Sequence, residues 1–256
     1  MKLINRCLTR LDSNIHTKVN LVCFPYAGGD SSIFKEWGKF FGKDVAIYAV
    51  QLPGRGLRAS EELSQKLMTI TQEIYQEVSN TLEGDLFLYG HSNGALMALD
   101  LACTFHSYKN KALKHLIVSG KNFPDTSEKL SSITSASTPE KVKSLLIDYG
   151  ATPSELLESP EFLSYYLPIF QSDIVLTQNY SYPFSYPLRC PCSFINAIDD
   201  ELVIQSQLHH WKNVTEHLKI YDTEGEHFSI NSEPHYITDS IGYIITEYLL
   251  VKELTF

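Results

Sequence analysis

The chain has 256 residues, of which 43% are hydrophobic, and its formal net charge is −9. A chain of this length and composition buries one large core, so we expect a single domain over residues 1–256. The negative charge leaves no basic stripe that could neutralise phosphates, which excludes nucleic acid as an expected partner.

Short apolar segments rich in β-branched and aromatic residues alternate along the chain with longer amphipathic stretches. They predict strands at 19–24, 46–51, 86–90, 115–119, 193–198 and 218–222. Continuous hydrophobicity is typical of strands that are covered on both faces. Apolar residues at helical spacing predict a helix over 63–82 and a last helix over 237–249. This alternation predicts an α/β fold with a mainly parallel central sheet flanked by helices.

A long insertion interrupts this alternation between about 121 and 187. It contains no segment that predicts a strand, but two patterns predict helices, at 138–150 and 159–170. Long insertions in compact domains are usually functional, so the pattern indicates a helical lid over the sheet. The alternative interpretation is a segment that only covers the core.

The residues 90–94 read Gly-His-Ser-Asn-Gly and lie between a predicted strand and a good helical segment. This is the G-x-S-x-G pattern in the strand, turn, helix context of a nucleophile elbow. The sharp turn presents the serine hydroxyl above the sheet, and the amides at the helix N-terminus stabilise developing negative charge. We therefore predict that Ser92 is a nucleophile. A tight turn with an incidental serine is the alternative.

The first predicted strand runs into a loop at 25–31 that contains paired glycines. In a hydrolase of this layout one oxyanion donor comes from such a loop and the other from the residue after the nucleophile. The predicted donors are the backbone amides of Ala27 and Asn93. A phosphate-binding loop is disfavoured because the chain lacks G-x-x-x-x-G-K-[ST].

A serine nucleophile requires a histidine base and a carboxylate that orients it, in the chain order Ser, Asp, His. His227 follows the strand at 218–222 closely and is the predicted base. Asp199 and Asp200 both end the strand at 193–198. A small residue three positions before and an aliphatic residue three positions after favour Asp200, and Asp199 remains the alternative. The other late histidines are expected on the surface: His209, His210, His217 and His235.

The absence of long apolar segments and the arrangement of the cysteines limit the class of protein further. The N-terminal segment has no apolar run of signal-peptide length, and no later stretch could span a bilayer, so we expect a cytoplasmic protein with no membrane contact. Five cysteines form no CxxC pair, which argues against a disulfide framework or a zinc site. We expect no metal and no cofactor.

Several motifs occur together in one order along nearly the whole chain. They are FPYAGG at 24–29, QLPGRG at 51–56, GHSNG at 90–94, LP at 167–168 with Asp173 and Tyr180 beyond it, and GEHF at 225–228. In these features the chain resembles the type II thioesterases that accompany non-ribosomal peptide and polyketide synthases, which are relatives of the medium-chain fatty acyl thioesterases. The chain departs from that family at Gln171, where an arginine is frequent, and at Ala197 and Glu226, where glycine is usual.

The resemblance implies an α/β-hydrolase fold and hydrolysis of an acyl group from the phosphopantetheine arm of an acyl- or peptidyl-carrier protein. It implies an editing role, with a medium-chain acyl-carrier or acyl-CoA thioesterase and a free-standing carboxylesterase as alternatives; a non-catalytic binding protein is disfavoured. Tyr26, Tyr165 and Phe170 are predicted to line the acyl chamber, and the alternative for the lid aromatics is that they pack against the domain beneath. Arg55 and Arg58 are candidates for contacts near the phosphate of the phosphopantetheine arm, but the preferred interpretation is that both lie in a solvated loop. We expect a monomer.

Overall fold

The computed structural model describes residues 2–64, 66–124, 133–150, 152–178 and 180–254. The strands are β1 (Lys2–Leu3), β2 (Leu8–Arg10), β3 (Val19–Phe24), β4 (Val45–Val50), β5 (Asp85–His91), β6 (Leu113–Ser119), β7 (Cys192–Ala197) and β8 (Leu218–Thr223). The α-helices are α1 (Leu67–Thr81), α2 (Asn93–Ser107), α3 (Pro139–Asp148), α4 (Ser154–Leu157), α5 (Pro160–Gln178), α6 (Ser229–Ser232) and α7 (His235–Leu254). Four segments form 3-10 helices: Ser31–Phe34, Trp37–Lys39, Gly56–Arg58 and Gln205–Asn213.

The strands form one sheet in the order β1-β2-β4-β3-β5-β6-β7-β8. The pairs from β4 to β8 are parallel, and only β1 and β2 run antiparallel to their neighbours. The prediction of a mainly parallel sheet flanked by helices is therefore confirmed. The carboxyl ends of β3, β5, β6, β7 and β8 all reach the same edge of the sheet, which is where parallel α/β sheets bind their ligands.

Both faces of the central strands β3, β4 and β5 are buried, which explains their continuous apolar runs. The edge strand β8 differs from the prediction, because none of its residues is buried. Along β3, Val22 and Phe24 belong to the core on the side of α1 and α2. Leu21 and Cys23 point to the opposite face and pack in the core that includes the apolar stripe of α7. Because neighbouring strand residues face opposite sides, a strand between two cores is mostly apolar at both phases, and a polar residue there, such as Asn20, needs a hydrogen-bond partner.

The sequence located the central elements well and the peripheral ones less well. Each of the six predicted strands is present, with its bounds shifted by at most two residues. The short antiparallel strands β1 and β2 were not predicted, because two and three residues are too few to show a periodicity. The observed helix α1 is shorter than the predicted one, because it begins at Leu67, and Leu63 lies in the preceding loop.

The insertion between β6 and β7 is helical, as predicted, through α3, α4 and α5. The predicted lid includes 125–132, 151 and 179, which lie outside the described residues. Phe170 and Ile174 of α5 share a buried cluster with Val142 of α3 and with Ala27 of the loop after β3. The lid is therefore packed against the loop at the carboxyl edge of the sheet.

No helix within the described ranges is both long and apolar enough to cross a membrane.

Candidate active site

Ser92 lies on a sharp turn between β5 and α2. Its φ of +54° and ψ of −120° fall in a region that non-glycine residues rarely adopt. A Cβ on Gly90 would overlap the carbonyl oxygen of Gly94, so the turn can close only with glycine at that position. The Ser92 N–H donates to the carbonyl of Ser119 at the end of β6, at 2.9 Å. These contacts hold the serine in the strained conformation of a nucleophile elbow.

The two segments that carry the predicted oxyanion donors lie side by side. β3 pairs with β5 so that Phe24 is opposite Gly90, and the loop with Ala27 therefore leaves the sheet next to Ser92. Ala27 is buried under the lid. Asn93 is the first residue of α2, and the N–H groups of a first helical turn have no carbonyl acceptor within the helix. The helix dipole adds to the attraction of these amides for an anion.

His227 and Asp200 form a buried hydrogen-bonded pair. His227 Nδ1 donates to Asp200 Oδ2 at 2.8 Å, and Asp200 Oδ1 accepts the N–H of Leu202 at 2.9 Å. Asp200 is only 3% exposed, whereas Asp199 is exposed to solvent. The geometry therefore favours Asp200 over Asp199 as the partner of the histidine.

The other imidazole nitrogen of the pair is available for proton transfer. His227 Nε2 is buried and has no hydrogen-bond partner among the residues that the structure describes. Ser92 follows β5, Asp200 follows β7 and His227 follows β8, so all three leave the same edge of the sheet. Catalytic hydrogen bonds are often long without substrate and shorten in the substrate complex.

His91 supports the imidazole of His227 and was not predicted from the sequence. The two rings lie 4.8 Å apart between centroids. His91 Nδ1 shares a 2.8 Å hydrogen bond with Ser119 Oγ, which is bonded in turn to Tyr89 Oη at 2.8 Å. Burial holds the pKa of His91 well below its ordinary value, and a positive charge on His227 would lower it further. His91 therefore stays neutral beside the base.

The loop after β4 differs from the sequence prediction. Arg55 and Arg58 were expected in a solvated loop, but each is only 4% exposed. Arg58 donates to the carboxylates of Glu61 and Glu73, at 2.7 and 3.0 Å. Arg55 forms a two-pronged ion pair with Asp173 of α5. The loop is folded beneath the lid. Arg58 is neutralised in part by the nearby Glu61, whereas Arg55 pairs with a carboxylate 118 positions away, which no local pattern reveals.

The three predicted chamber residues have different environments. Tyr26 packs edge-on against Phe228 and His91, and its hydroxyl is hydrogen-bonded to Asn231, so it lies beside the histidine loop. Phe170 is buried in the cluster between lid and loop, at 1% exposure.

Tyr165 is 53% exposed, which does not support the prediction that it lines the chamber. Successive residues of a helix point about 100° apart, and it is the next residue, Tyr166, that faces inward. Its hydroxyl occupies the position that a Cβ on Gly28 would take, and its ring stacks on Phe170. The aromatic residues in the sequence identify the helix that covers the site, but not which of them face inward.

Gln171 replaces the arginine that is frequent in the resembling family. Its side-chain amide donates to the carbonyls of Thr134 and Ser137, at 2.8 and 3.2 Å. Gln171 therefore connects α5 to the segment just before α3. Two segments of the lid thus stay joined at this position although the arginine is absent.

The arrangement suits acyl transfer by nucleophilic catalysis. It combines a serine on a strained turn, a histidine oriented by a buried carboxylate, and amides that face the same edge. In the described ranges, no group of three or more His, Cys, Asp or Glu side chains is placed to hold a metal ion.

The comparisons with known proteins agree with this chemistry. The family model described as "Thioesterase domain" matches residues 19–244. The chain is 29% identical over 229 residues to the gramicidin S biosynthesis protein GrsT of Aneurinibacillus migulanus, covering 88% of each chain. It is 27% identical over 227 residues to the medium-chain S-acyl fatty acid synthase thioesterase of Rattus norvegicus, covering 87% of this chain and 86% of the rat protein.

Solved structures of thioesterases share the whole fold. RedJ, the thioesterase of the prodiginine pathway in Streptomyces coelicolor, has a TM-score of 0.82 at 26% identity and covers 94% of this chain and 96% of its own. YbtT, a type II thioesterase of the yersiniabactin pathway, has a TM-score of 0.82 at 25% identity, with 92% and 96% covered. The resemblance to type II thioesterases and the α/β-hydrolase fold are confirmed. The chain belongs to the thioesterase domain family.

Proposed function

We propose that this thioesterase hydrolyses acyl groups from the phosphopantetheine arm of acyl- or peptidyl-carrier proteins, and so removes stalled or incorrect intermediates from a non-ribosomal peptide or polyketide synthase. The observation that carries the proposal is the buried Asp200–His227 pair, which lies at the same sheet edge as Ser92 and against the ring of the neighbouring His91, beneath the lid. Its similarity to the gramicidin S biosynthesis protein GrsT and to YbtT, a type II thioesterase of an NRPS/PKS pathway, supports the choice of substrate.

In the proposed mechanism, His227 Nε2 removes the proton from Ser92 Oγ as the oxygen attacks the thioester carbonyl. The backbone amides of Ala27 and Asn93 stabilise the resulting oxyanion. The carbon–sulfur bond breaks, and the phosphopantetheine thiolate takes the proton from His227. A water molecule, deprotonated by His227, then attacks the acyl-serine ester, which releases the carboxylic acid and restores the Ser92 hydroxyl.

Asp200 keeps the proton of the neutral imidazole on Nδ1 and stabilises the imidazolium that forms during each proton transfer. Its two oxygens accept from His227 and from the N–H of Leu202, so the carboxylate is fixed in position. Tyr26 and Tyr166 are partly exposed at this edge, and we infer that they form the apolar wall on which the acyl chain lies, with the buried Phe170 supporting Tyr166 from behind.

We further infer that the chain acts as a single-domain monomer in the cytoplasm, where it meets carrier proteins in solution. No cofactor is required for the proposed chemistry. A second candidate is release of medium-chain fatty acids, and the similarity to the rat fatty acid synthase thioesterase favours it over a general carboxylesterase.

The test compares one acyl group, octanoyl, on three carriers: a phosphopantetheinylated carrier protein, coenzyme A and p-nitrophenol. We expect the highest kcat/KM for the carrier protein, and loss of all three activities in Ser92→Ala. Ser206→Ala, which changes an exposed serine, is the matched control and should keep wild-type activity. Preference for the p-nitrophenyl ester would contradict the proposed substrate. The second candidate is tested by loading octanoyl on the acyl-carrier protein of a fatty acid synthase and on a peptidyl-carrier protein, and preference for the former would favour it.

A further inference from the structure

Asp173 of the lid helix α5 is buried and forms an ion pair with Arg55. Arg55 Nη2 donates to Asp173 Oδ1 at 2.7 Å, and Arg55 Nη1 donates to Asp173 Oδ2. The two side chains are 5% and 3% exposed. The pair joins the loop after β4 to the lid, across 118 positions of sequence.

The same carboxylate holds the loop that carries one predicted oxyanion donor. Asp173 Oδ2 accepts the N–H of Gly28 at 2.7 Å, and Arg55 Nη1 also donates to the carbonyl of Gly29 at 3.3 Å. The Gly28 N–H belongs to the peptide plane that it shares with Ala27. The Ala27 N–H lies in the preceding plane, between Tyr26 and Ala27, and the two planes are joined only through the backbone torsions of Ala27. Fixing the Ala27–Gly28 plane therefore restricts the orientations that the Ala27 N–H can adopt.

The backbone of Asp173 contacts the segment that carries the other donor. The side-chain amide of Asn93 donates to the Asp173 carbonyl at 2.8 Å. The oxygen of that amide accepts from Lys121 Nζ at 3.4 Å. Asn93 directly follows Ser92, so one lid residue contacts both segments from which the oxyanion donors come.

A buried ion pair is not an efficient way to stabilise a fold. Removing two charges from water costs several kcal/mol per ion, and well-packed apolar residues often give equal or greater stability. Here, however, the charges reach backbone groups that apolar side chains cannot hold: the Gly28 N–H and the Gly29 carbonyl. This arrangement indicates a role in geometry rather than in stability.

We infer that Asp173 and Arg55 are positioning residues that align the backbone amides of the oxyanion hole and make their alignment depend on the position of the lid. The inference rests on the proposed function, because it concerns the same reaction. In Asp173→Asn one carboxylate oxygen becomes an NH₂ group. If this group replaces Oδ2, the Gly28 N–H and Arg55 Nη1 both lose their acceptor; if it replaces Oδ1, Arg55 Nη2 loses its acceptor and the remaining oxygen is an uncharged, weaker acceptor for Gly28. In either case the hydrogen bond that fixes the Ala27–Gly28 peptide is lost or weakened.

The test measures kcat and KM for p-nitrophenyl octanoate and the inhibition constant of phenylboronic acid, whose tetrahedral serine adduct needs the oxyanion amides. Loss of one oxyanion donor costs about 100-fold to 1,000-fold in kcat. Because a misaligned donor still contributes, we expect kcat of Asp173→Asn to fall about 10-fold to 100-fold with little change in KM, and the inhibition constant to rise in parallel. Arg55→Gln should behave in the same way.

Arg58→Gln is the matched control, because it breaks the other buried arginine network of the same loop without touching Asp173. It should lower the melting temperature but leave kcat and the inhibition constant unchanged. All variants are compared at a temperature where circular dichroism shows each to be folded. If Asp173→Asn does not fold, the test relies on Arg55→Gln. In that variant we measure kcat and the hydrogen-exchange rate of the Gly28 amide, which reports whether its hydrogen bond to Asp173 persists.

Unchanged kcat in folded Asp173→Asn, or a lower kcat with an unchanged boronic acid constant, would overturn the inference. Equal losses in Arg58→Gln would also overturn it, since the effect would then be general destabilisation. The ester and the boronic acid need no carrier protein. Failure of the proposed carrier substrate would therefore leave this test intact, and the two results can be distinguished.

Discussion

The replacement Asp200→Asn tests the assignment of the acid most sharply. Asp200 accepts two hydrogen bonds, one from His227 Nδ1 at 2.8 Å and one from the Leu202 N–H at 2.9 Å. Asparagine has one acceptor oxygen, and its NH₂ group must then face one of these two donors. If the oxygen keeps Leu202, the NH₂ group faces Nδ1 and favours the tautomer with the proton on Nε2. That tautomer cannot accept the Ser92 proton.

The expected loss in kcat is about 10,000-fold, the size seen when the carboxylate of a serine triad is converted to its amide. The loss corresponds to about 5.5 kcal/mol of transition-state stabilisation. Steady-state hydrolysis of octanoyl carrier protein and of p-nitrophenyl octanoate measures it. The matched control is Asp199→Asn, whose side chain is exposed next to Asp200, and it should stay within about 2-fold of wild type.

The pH profile separates a tautomer effect from unfolding. Asp200→Asn should keep a native circular dichroism spectrum and should recover part of its activity at high pH, where hydroxide replaces the general base. A large loss in Asp199→Asn with little loss in Asp200→Asn would refute the reasoning, because the exposed carboxylate would then be the one that orients His227.

Three further predictions follow from the packing and the buried charges. Tyr166→Ala should change the ratio of the rates for butanoyl and dodecanoyl carrier substrates about 5-fold, because it removes the apolar surface of one aromatic ring from the proposed chamber. Tyr165→Ala, at the exposed neighbouring position, should leave this ratio unchanged. Equal effects of the two variants would contradict the assignment of Tyr166 as the inward-facing residue. Burial lowers the pKa of His115 from 6.5 to about 4, so the unfolded chain binds a proton that the folded chain excludes between these values. In urea titrations wild type should therefore lose about 3 kcal/mol more stability than His115→Gln as the pH falls from 6.5 to 4, and parallel losses would contradict this. Burial also lowers the pKa of Lys121 from 10.5 to about 8, so its charge destabilises the fold at pH 7. Lys121→Met should raise the melting temperature at pH 7, and the difference should shrink as the pH rises from 8 to 10.5; a lower melting temperature in the variant would refute it.

Much of the candidate site was predictable because its parts carry local signals. The strand, turn, helix context marks Ser92, and a strand end marks both Asp200 and His227. The parallel order of strands then brings these ends to one edge, so a one-dimensional pattern leads to a three-dimensional prediction. The spacing around the acid favoured Asp200 over Asp199, and burial in the structure favours the same residue.

The parts that could not be predicted depend on contacts between distant segments. Arg55 and Asp173 both belong to motifs that the sequence analysis singled out, but nothing in either motif indicates that they pair, because the pairing exists only when the lid folds over the loop after β4. The same limit explains Tyr165, since the direction of a lid side chain depends on how α5 packs. His91 could have been suspected, because the residue before the nucleophile lies on the buried strand end of the elbow.

The most direct test of the account is titration of the enzyme with a fluorophosphonate, followed by peptide mass spectrometry and by hydrolysis of octanoyl carrier protein. An activated serine reacts with this reagent, while ordinary hydroxyls do not. We predict one phosphonate per chain, on Ser92, and loss of thioester hydrolysis in proportion to the labelled fraction. Full labelling of Ser92 with retained hydrolysis, or loss of hydrolysis that follows labelling of another residue, would contradict the claim that Ser92 is the nucleophile.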